Sequence, residues 1–155
     1  MEIKQLTNFN DNIFGQAIDL IYEEWGKFFS KTKSERANQL ILAQKNNQDF
    51  PKMFALVSED IVLGTFWFKQ MEVNKQLVPS LWYLVVNKQQ RGNGYGKIML
   101  EFIDDYSKKH FPCLYLVTHH QNLYEKFGYT FVKEIPHNGE TDRLYVKYYK
   151  NQDIK

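Results

Sequence analysis

Hydrophobic and polar positions along this chain switch between a two-residue and a three-to-four-residue period, which mark strands and helices respectively. Met1 to Thr7 alternates and predicts a short first strand. From Asn10 the pattern turns helical, with Ile13, Ala17, Leu20, Ile21 and Glu24 on one face, an Asp in the first turn and Gly26 as a stop. Thr32 and Glu35 have the spacing of a capping box, and Ala37, Leu40, Ile41 and Ala43 carry a second helix to about Lys45. After the polar Asn46 to Gln48 and Pro51, Met53 to Ser58 and Ile61 to Lys69 read as a hairpin around Glu59 and Asp60.

Met71 to Gln76 is polar and predicts a loop, and Leu81 to Val86 (LWYLVV) a strand covered on both faces. A third helix runs from Gly94 to about His110, with Ile98, Met99, Phe102, Ile103 and Tyr106 on one side and Pro112 barring its continuation. Cys113 to Thr118 is another buried strand, and Leu123 to Phe127 a helical turn or two ended by Gly128. Tyr129 to Ile135 and Arg143 to Lys150 alternate as strands joined by a Pro136 to Asp142 loop. The order β-α-α-β-β-β-α-β-α-β-β predicts an α+β fold: a mixed, mostly antiparallel sheet of about seven strands, about four helices, and one parallel crossover through the third helix. Arg143 to Lys150 is expected at an exposed edge, where a second copy can pair, giving a monomer or homodimer.

The length of 155 residues suits a single domain over 1–155. A formal charge of +2 is far below that of a phosphate-tracking protein, so no nucleic-acid partner is expected. Cys113 is the single cysteine, which excludes an internal disulfide. No apolar run approaches a membrane span of about 20 residues, and Met1 to Leu6 lacks the apolar core of a signal peptide. The expected location is therefore the cytoplasm.

Candidate chemistry centres on Arg91, Gly92, Asn93, Gly94, Tyr95 and Gly96, between a buried strand and an amphipathic helix. Alternate glycines allow close backbone approach, and free N–H groups at a helix start favour an anion. A glycine-rich turn without a ligand is the competing reading. The spacing G-x-G-x-G departs from the dinucleotide fingerprint, and Arg91 and Ile98 stand where a P-loop needs Gly and Ser or Thr.

The segment is similar instead to the acyl-CoA loop of the GNAT N-acetyltransferase superfamily, [Gln/Arg]-x-x-Gly-x-[Gly/Ala], through Arg91, Gly94 and Gly96, with Gly92 and Val86 fitting its extended form. Downstream, LYEKFGYTFV from Leu123 to Val132 resembles the family's Tyr-x-Lys-x-Gly-Phe signature, with Tyr124, Lys126, Gly128 and Tyr129 in those places. The resemblance implies a GNAT-like sheet and an acetyl-CoA-dependent N-acetyltransferase acting on an amine, without a metal. It implies that the amides of Gly92 to Lys97 hold the CoA pyrophosphate with Arg91 adding charge, and that Leu84, Val85 and Val86 meet the pantetheine arm through main-chain hydrogen bonds. It also implies Tyr124 as general acid, and a phenol with pKa near 10 is protonated at neutral pH.

No residue announces itself as the base. Glu24, on the apolar face of the first helix, is expected to point inward; Glu23 and Glu72 are further carboxylates, and a chain of waters is an alternative. His119 and His120 follow a central strand, where imidazole can relay a proton or simply make a polar turn. Trp25, Phe28, Phe29, Trp67 and Trp82 are candidates for an acceptor pocket or for core. Cys113 lacks a patterned base and reads as core, which leaves direct attack of the amine on the thioester. Competing functions are a non-catalytic acyl-CoA sensor or interaction module of the same fold, and a transferase for a longer acyl group.

Overall fold

A computed structural model describes residues 1–8, 10–26, 50–137 and 139–149. Seven strands, β1 (Glu2–Gln5), β2 (Lys52–Ser58), β3 (Ile61–Val73), β4 (Gln76–Val86), β5 (Cys113–Thr118), β6 (Thr130–His137) and β7 (Glu140–Tyr148), form one sheet in the order β1-β2-β3-β4-β5-β7-β6. Among the described residues there are two α-helices, α1 (Asn12–Trp25) and α2 (Tyr95–His110), and two 3-10 turns, η1 (Lys88–Gln90) and η2 (Tyr124–Phe127). The expected mixed, mostly antiparallel sheet is present, and its parallel pair is β4 with β5, registered at Ser80↔Tyr115 and Leu81↔Leu116. The helix expected at Thr32 to Lys45, and Phe28 and Phe29, lie outside the described residues.

Several boundaries differ from the sequence reading, each for a physical reason. Met71 to Gln76 is not a loop but the end of a long β3–β4 hairpin, turning at Asn74 and Lys75 with φ of 51° and 68°. Much of its tip is exposed, so it has too few buried positions to show an apolar stripe. Likewise β6 and β7 extend into the expected Pro136 to Asp142 loop, through the register Ile135↔Asp142, Pro136↔Thr141 and His137↔Glu140. β7 lies between β5 and β6, so the strand expected from Arg143 onward is not a sheet edge through Tyr148; among the described residues the edges are β1 and β6. In β4, Leu81, Tyr83 and Val85 are buried, whereas Trp82, Leu84 and Val86 are only half-buried, so the strand is not fully covered. The acidic residue expected in the first turn of α1 is its cap: Asp11 Oδ1 accepts from the amides of Ile13 at 2.6 Å and Phe14 at 3.2 Å. Gly26 is right-handed (φ −57°). Its missing side chain makes room for the Tyr22 ring, which a Cβ would meet at 2.9 Å.

The chain packs as two compact units, Met1–Lys69 with Tyr83–Met99, and Gln70–Trp82 with Leu100–Lys155. In the first, α1 buries Ile13, Phe14, Ala17, Ile18, Leu20 and Ile21. Gln16 ties this helix to the β2–β3 turn, donating to the Asp60 carbonyl at 2.8 Å and accepting from the Val62 amide at 2.9 Å. A Cβ on Gly64 would fall 2.6 Å from Met99 Cε and 2.8 Å from the Val85 carbonyl oxygen, so glycine lets the start of α2 lie flush on β3. In the second unit, β5 and β7 pair antiparallel from Cys113↔Tyr148 to Thr118↔Arg143. Its core includes Ile103, Leu114, Leu116, Leu144 and Tyr145.

Candidate functional site

In the first unit, β4 gives way to α2 through a loop closed by its own polar groups. The Asn87 amide donates to the Leu63 carbonyl at 2.8 Å, and its Oδ1 caps η1 by accepting from the Gln89 amide at 3.1 Å. Asn93 Nδ2 donates to the Gln90 carbonyl at 2.9 Å. Gly92 and Gly94 have φ of 88° and 81°, a left-handed conformation that side chains resist, and a Cβ at either would meet nothing within 4 Å. Their glycine requirement is thus conformational, and the space beside them is open.

The Gly94 carbonyl accepts the Ile98 amide at 3.2 Å and so starts α2. The first amides of a helix have no intrahelical acceptor, and the first turn of α2 carries no acidic side chain to claim them. Gly96 has a Cβ position 3.9 Å from Val86 Cγ2, an ordinary contact, so alanine fits there. The residues present therefore fit a diphosphate: exposed Gly92, Asn93 and Gly94, half-buried Tyr95 and Gly96, and exposed Lys97 at a positive helix end.

Arg91 and Glu24 meet here in a way the sequence reading did not foresee. Arg91 Nε donates to the Val86 carbonyl at 3.1 Å, and Nη2 reaches Glu24 Oε1 at 3.2 Å. Glu24 is half-buried and ion-paired rather than turned into an apolar core. Arg91 thereby braces the loop against β4 and α1, and the Val86 carbonyl already accepts one hydrogen bond on the strand expected to meet the pantetheine arm. Glu23 and Glu72 are exposed.

Tyr83 in β4 has φ of 56°, a strained value inside a strand. Surrounding groups hold it: Trp67 lies edge-on at 5.3 Å, Trp25 at 5.7 Å, and Lys69 Nζ sits 5.2 Å from its ring centre. Trp67 is fully buried in the core, and among the described residues its Nε1 has no hydrogen-bond partner. Trp82 is half-buried and donates from Nε1 to Ser80 Oγ at 2.7 Å.

In the second unit, Tyr124 opens η2. Its ring is buried against Tyr129 (5.8 Å, 80°) and Tyr145 (6.4 Å). Burial pushes its phenol up to about 12. The turn is held at both ends. Glu125 Oε2 accepts from the Tyr145 hydroxyl at 2.8 Å, and that hydroxyl accepts from Arg143 Nε at 3.0 Å. At the other end Lys147 Nζ donates to the Phe127 carbonyl at 2.8 Å. Gly128 closes the turn with φ of 92°, its amide reaching the Glu125 carbonyl at 3.1 Å.

His119 and His120 are exposed, with rings 4.4 Å apart, and the His120 amide donates to Thr118 Oγ1 at 3.1 Å. Cys113 is buried, and desolvation pushes its thiol up, away from nucleophilic thiolate character. Among the described residues no three metal-ligating side chains cluster, and no helix is long and apolar enough to cross a membrane.

A family model described as "Acetyltransferase (GNAT) family" matches residues 18–129. No curated protein matches the sequence. Among solved structures, the chain is similar to an aminoglycoside 6'-N-acetyltransferase from Enterococcus faecium at 20% identity and a TM-score of 0.70, covering 96% of this chain and 97% of that one. An aminoglycoside 6'-N-acetyltransferase complexed with coenzyme A is similar at 19% identity and a TM-score of 0.71, over 96% of this chain and 97% of that one. A protein from Pyrococcus horikoshii OT3 is similar at 21% identity and a TM-score of 0.72, over 99% of each. At such identities the structural likeness carries the fold, and the family match carries the relationship.

Proposed function

Since the chain belongs to the acetyltransferase (GNAT) family, with acetyl-CoA as the donor, we propose that it transfers the acetyl group directly to a primary amine of a small molecule or peptide. The observation that carries this reading is the β4–α2 loop. Gly92 and Gly94 leave open space at the start of a helix whose first turn is free of acidic groups, the arrangement a pyrophosphate needs. The amides of Gly92 to Lys97 bind it; Leu84, Val85 and Val86 offer main-chain groups to the pantetheine arm.

In the reaction the neutral amine nitrogen bonds to the thioester carbonyl carbon and gives up a proton to water, the C–S bond breaks, and the sulfur leaves as thiolate. Tyr124 supplies the donor for that sulfur. A phenol held at about 12 is a weaker acid than an ordinary thiol near 8.5. Its contribution is therefore a hydrogen bond that strengthens as negative charge gathers on sulfur, with the thiolate finally protonated from solvent. A lysine-like amine arrives as an ammonium of pKa about 10.4 and must lose a proton first. Because Glu24 is committed to Arg91, water with exposed His120 as relay is the route for that proton. Buried Cys113 takes no part, which keeps the transfer direct.

Titration calorimetry with acetyl-CoA and with CoA, followed by thiol release over a panel of amines, tests this reading. Saturable binding and amine-dependent release are expected. No binding at millimolar donor rejects the donor site, and binding without release above background turns the chain into an acyl-CoA sensor.

A further inference from the structure

We propose that Lys147, outside both sequence motifs, is a positioning residue for Tyr124; this rests on the reading of Tyr124 as the donor to the departing sulfur. The 3-10 turn η2 is four residues long, and no side chain caps its start. A turn this short does not hold its own orientation. Lys147 projects from β7 onto it, with Nζ 2.8 Å from the Phe127 carbonyl and 2.7 Å from Asp104 Oδ1 on α2. The Tyr149 hydroxyl donates to the same Asp104 oxygen at 3.1 Å, so the carboxylate anchors Lys147 and the nearby Tyr149 at once.

The lysine also runs close over the glycine of the downstream motif. Gly128 has φ of 92°, which already disfavours a side chain, and a Cβ there would lie 3.1 Å from Lys147 Cε and 3.2 Å from Nζ, so the lysine would have to shift by a few tenths of an ångström. Nζ also sits 5.8 Å from the centre of the Tyr129 ring, and Tyr129 packs edge-on against Tyr124. One ammonium thus connects helix, turn and aromatic wall. With its side chain 21% exposed, it is well placed to hold geometry.

The test compares Lys147→Met, Lys147→Arg, Tyr124→Phe and the double variant Lys147→Met/Tyr124→Phe, using acetyl-CoA and the best acceptor from the amine panel. Lys147→Met is expected to lower kcat by about tenfold while the acetyl-CoA KM moves by less than about twofold. Lys147→Arg is expected to restore most of kcat, and in the Tyr124→Phe background Lys147→Met adds less than about twofold. Independent, multiplying losses in the double variant overturn the proposal. If Tyr124→Phe lowers kcat and Lys147→Met does not, the brace alone is rejected. If Tyr124→Phe leaves kcat unchanged, or no amine gives turnover, the Tyr124 reading is rejected and the brace with it. Should Lys147→Met fail to fold by circular dichroism, Asp104→Asn slackens the anchor but keeps the lysine donor on Phe127. Its kcat and KM then decide in place of those of Lys147→Met: a kcat loss that vanishes in the Tyr124→Phe background supports the brace, and an unchanged kcat or a multiplying loss overturns it.

Discussion

Tyr124 and Glu24 show how surroundings decide what an ionisable side chain can do. Tyr124 is buried among tyrosines and kept protonated, so Tyr124→Phe removes one donor and little volume. Steady-state thiol release is expected to show kcat reduced by at least about tenfold with an unchanged acetyl-CoA KM, in line with a hydrogen bond to sulfur that strengthens in the transition state. Glu24 is engaged by Arg91 at 3.2 Å. Glu24→Gln is accordingly expected to raise the acetyl-CoA KM by about two- to fivefold while kcat and its pH profile stay put. A general base would instead show kcat collapsing. Because the pair is substantially exposed, its loss is expected to change folding stability by less than about 1 kcal/mol in urea titrations. The carboxylate's position on the first helix was readable in the sequence, but its partner was not, since the two residues lie 67 positions apart.

The β4–α2 loop and the η2 turn are the elements on which the proposed function rests, and they were legible to different degrees. The loop was legible because its requirements are local: left-handed glycines, then a helix start. Gly94→Ala is expected to cost about 1–2 kcal/mol for its left-handed conformation and to weaken acetyl-CoA binding. Gly96→Ala, with ordinary contact distances around its Cβ, is expected to bind as the parent does. Chemical denaturation and calorimetry of the two variants check this contrast, which follows the Gly/Ala tolerance of the resembled pattern. The η2 turn was legible as a motif, but what holds it was not. Lys147 lies 20 residues beyond the Phe127 carbonyl it reaches, and on an alternating strand it reads as any surface lysine. The ends of the long hairpins escaped for a related reason: strands whose tips are solvated on both faces leave no period to detect.

At the scale of the whole molecule, a cluster of tyrosines shapes the response to pH. Burial raises Tyr124 from 10.0 to about 12, and a hydrogen bond with Tyr148 aided by burial takes Tyr115 from 10.0 to about 12. Burial likewise pushes Tyr129 and Tyr149 upward. Below pH 10 both folded and unfolded chains keep these protons and the contribution to stability is intact. Between about pH 10 and pH 12 the unfolded chain releases them first, so stability falls as pH rises. Urea titrations across that window are expected to show the decline, with a shallower slope in Tyr124→Phe. The sequence by itself determined the order of the strands along the chain, the parallel crossover and the glycine loop that opens α2, because hydrophobic period, glycine and helix start act over a few neighbouring residues. The tertiary structure alone decided that β7 lies inside the sheet, that Glu24 braces Arg91 rather than facing the core, and that Lys147 grips the turn of Tyr124. Those outcomes depend on contacts between residues far apart in the chain, which no local pattern encodes.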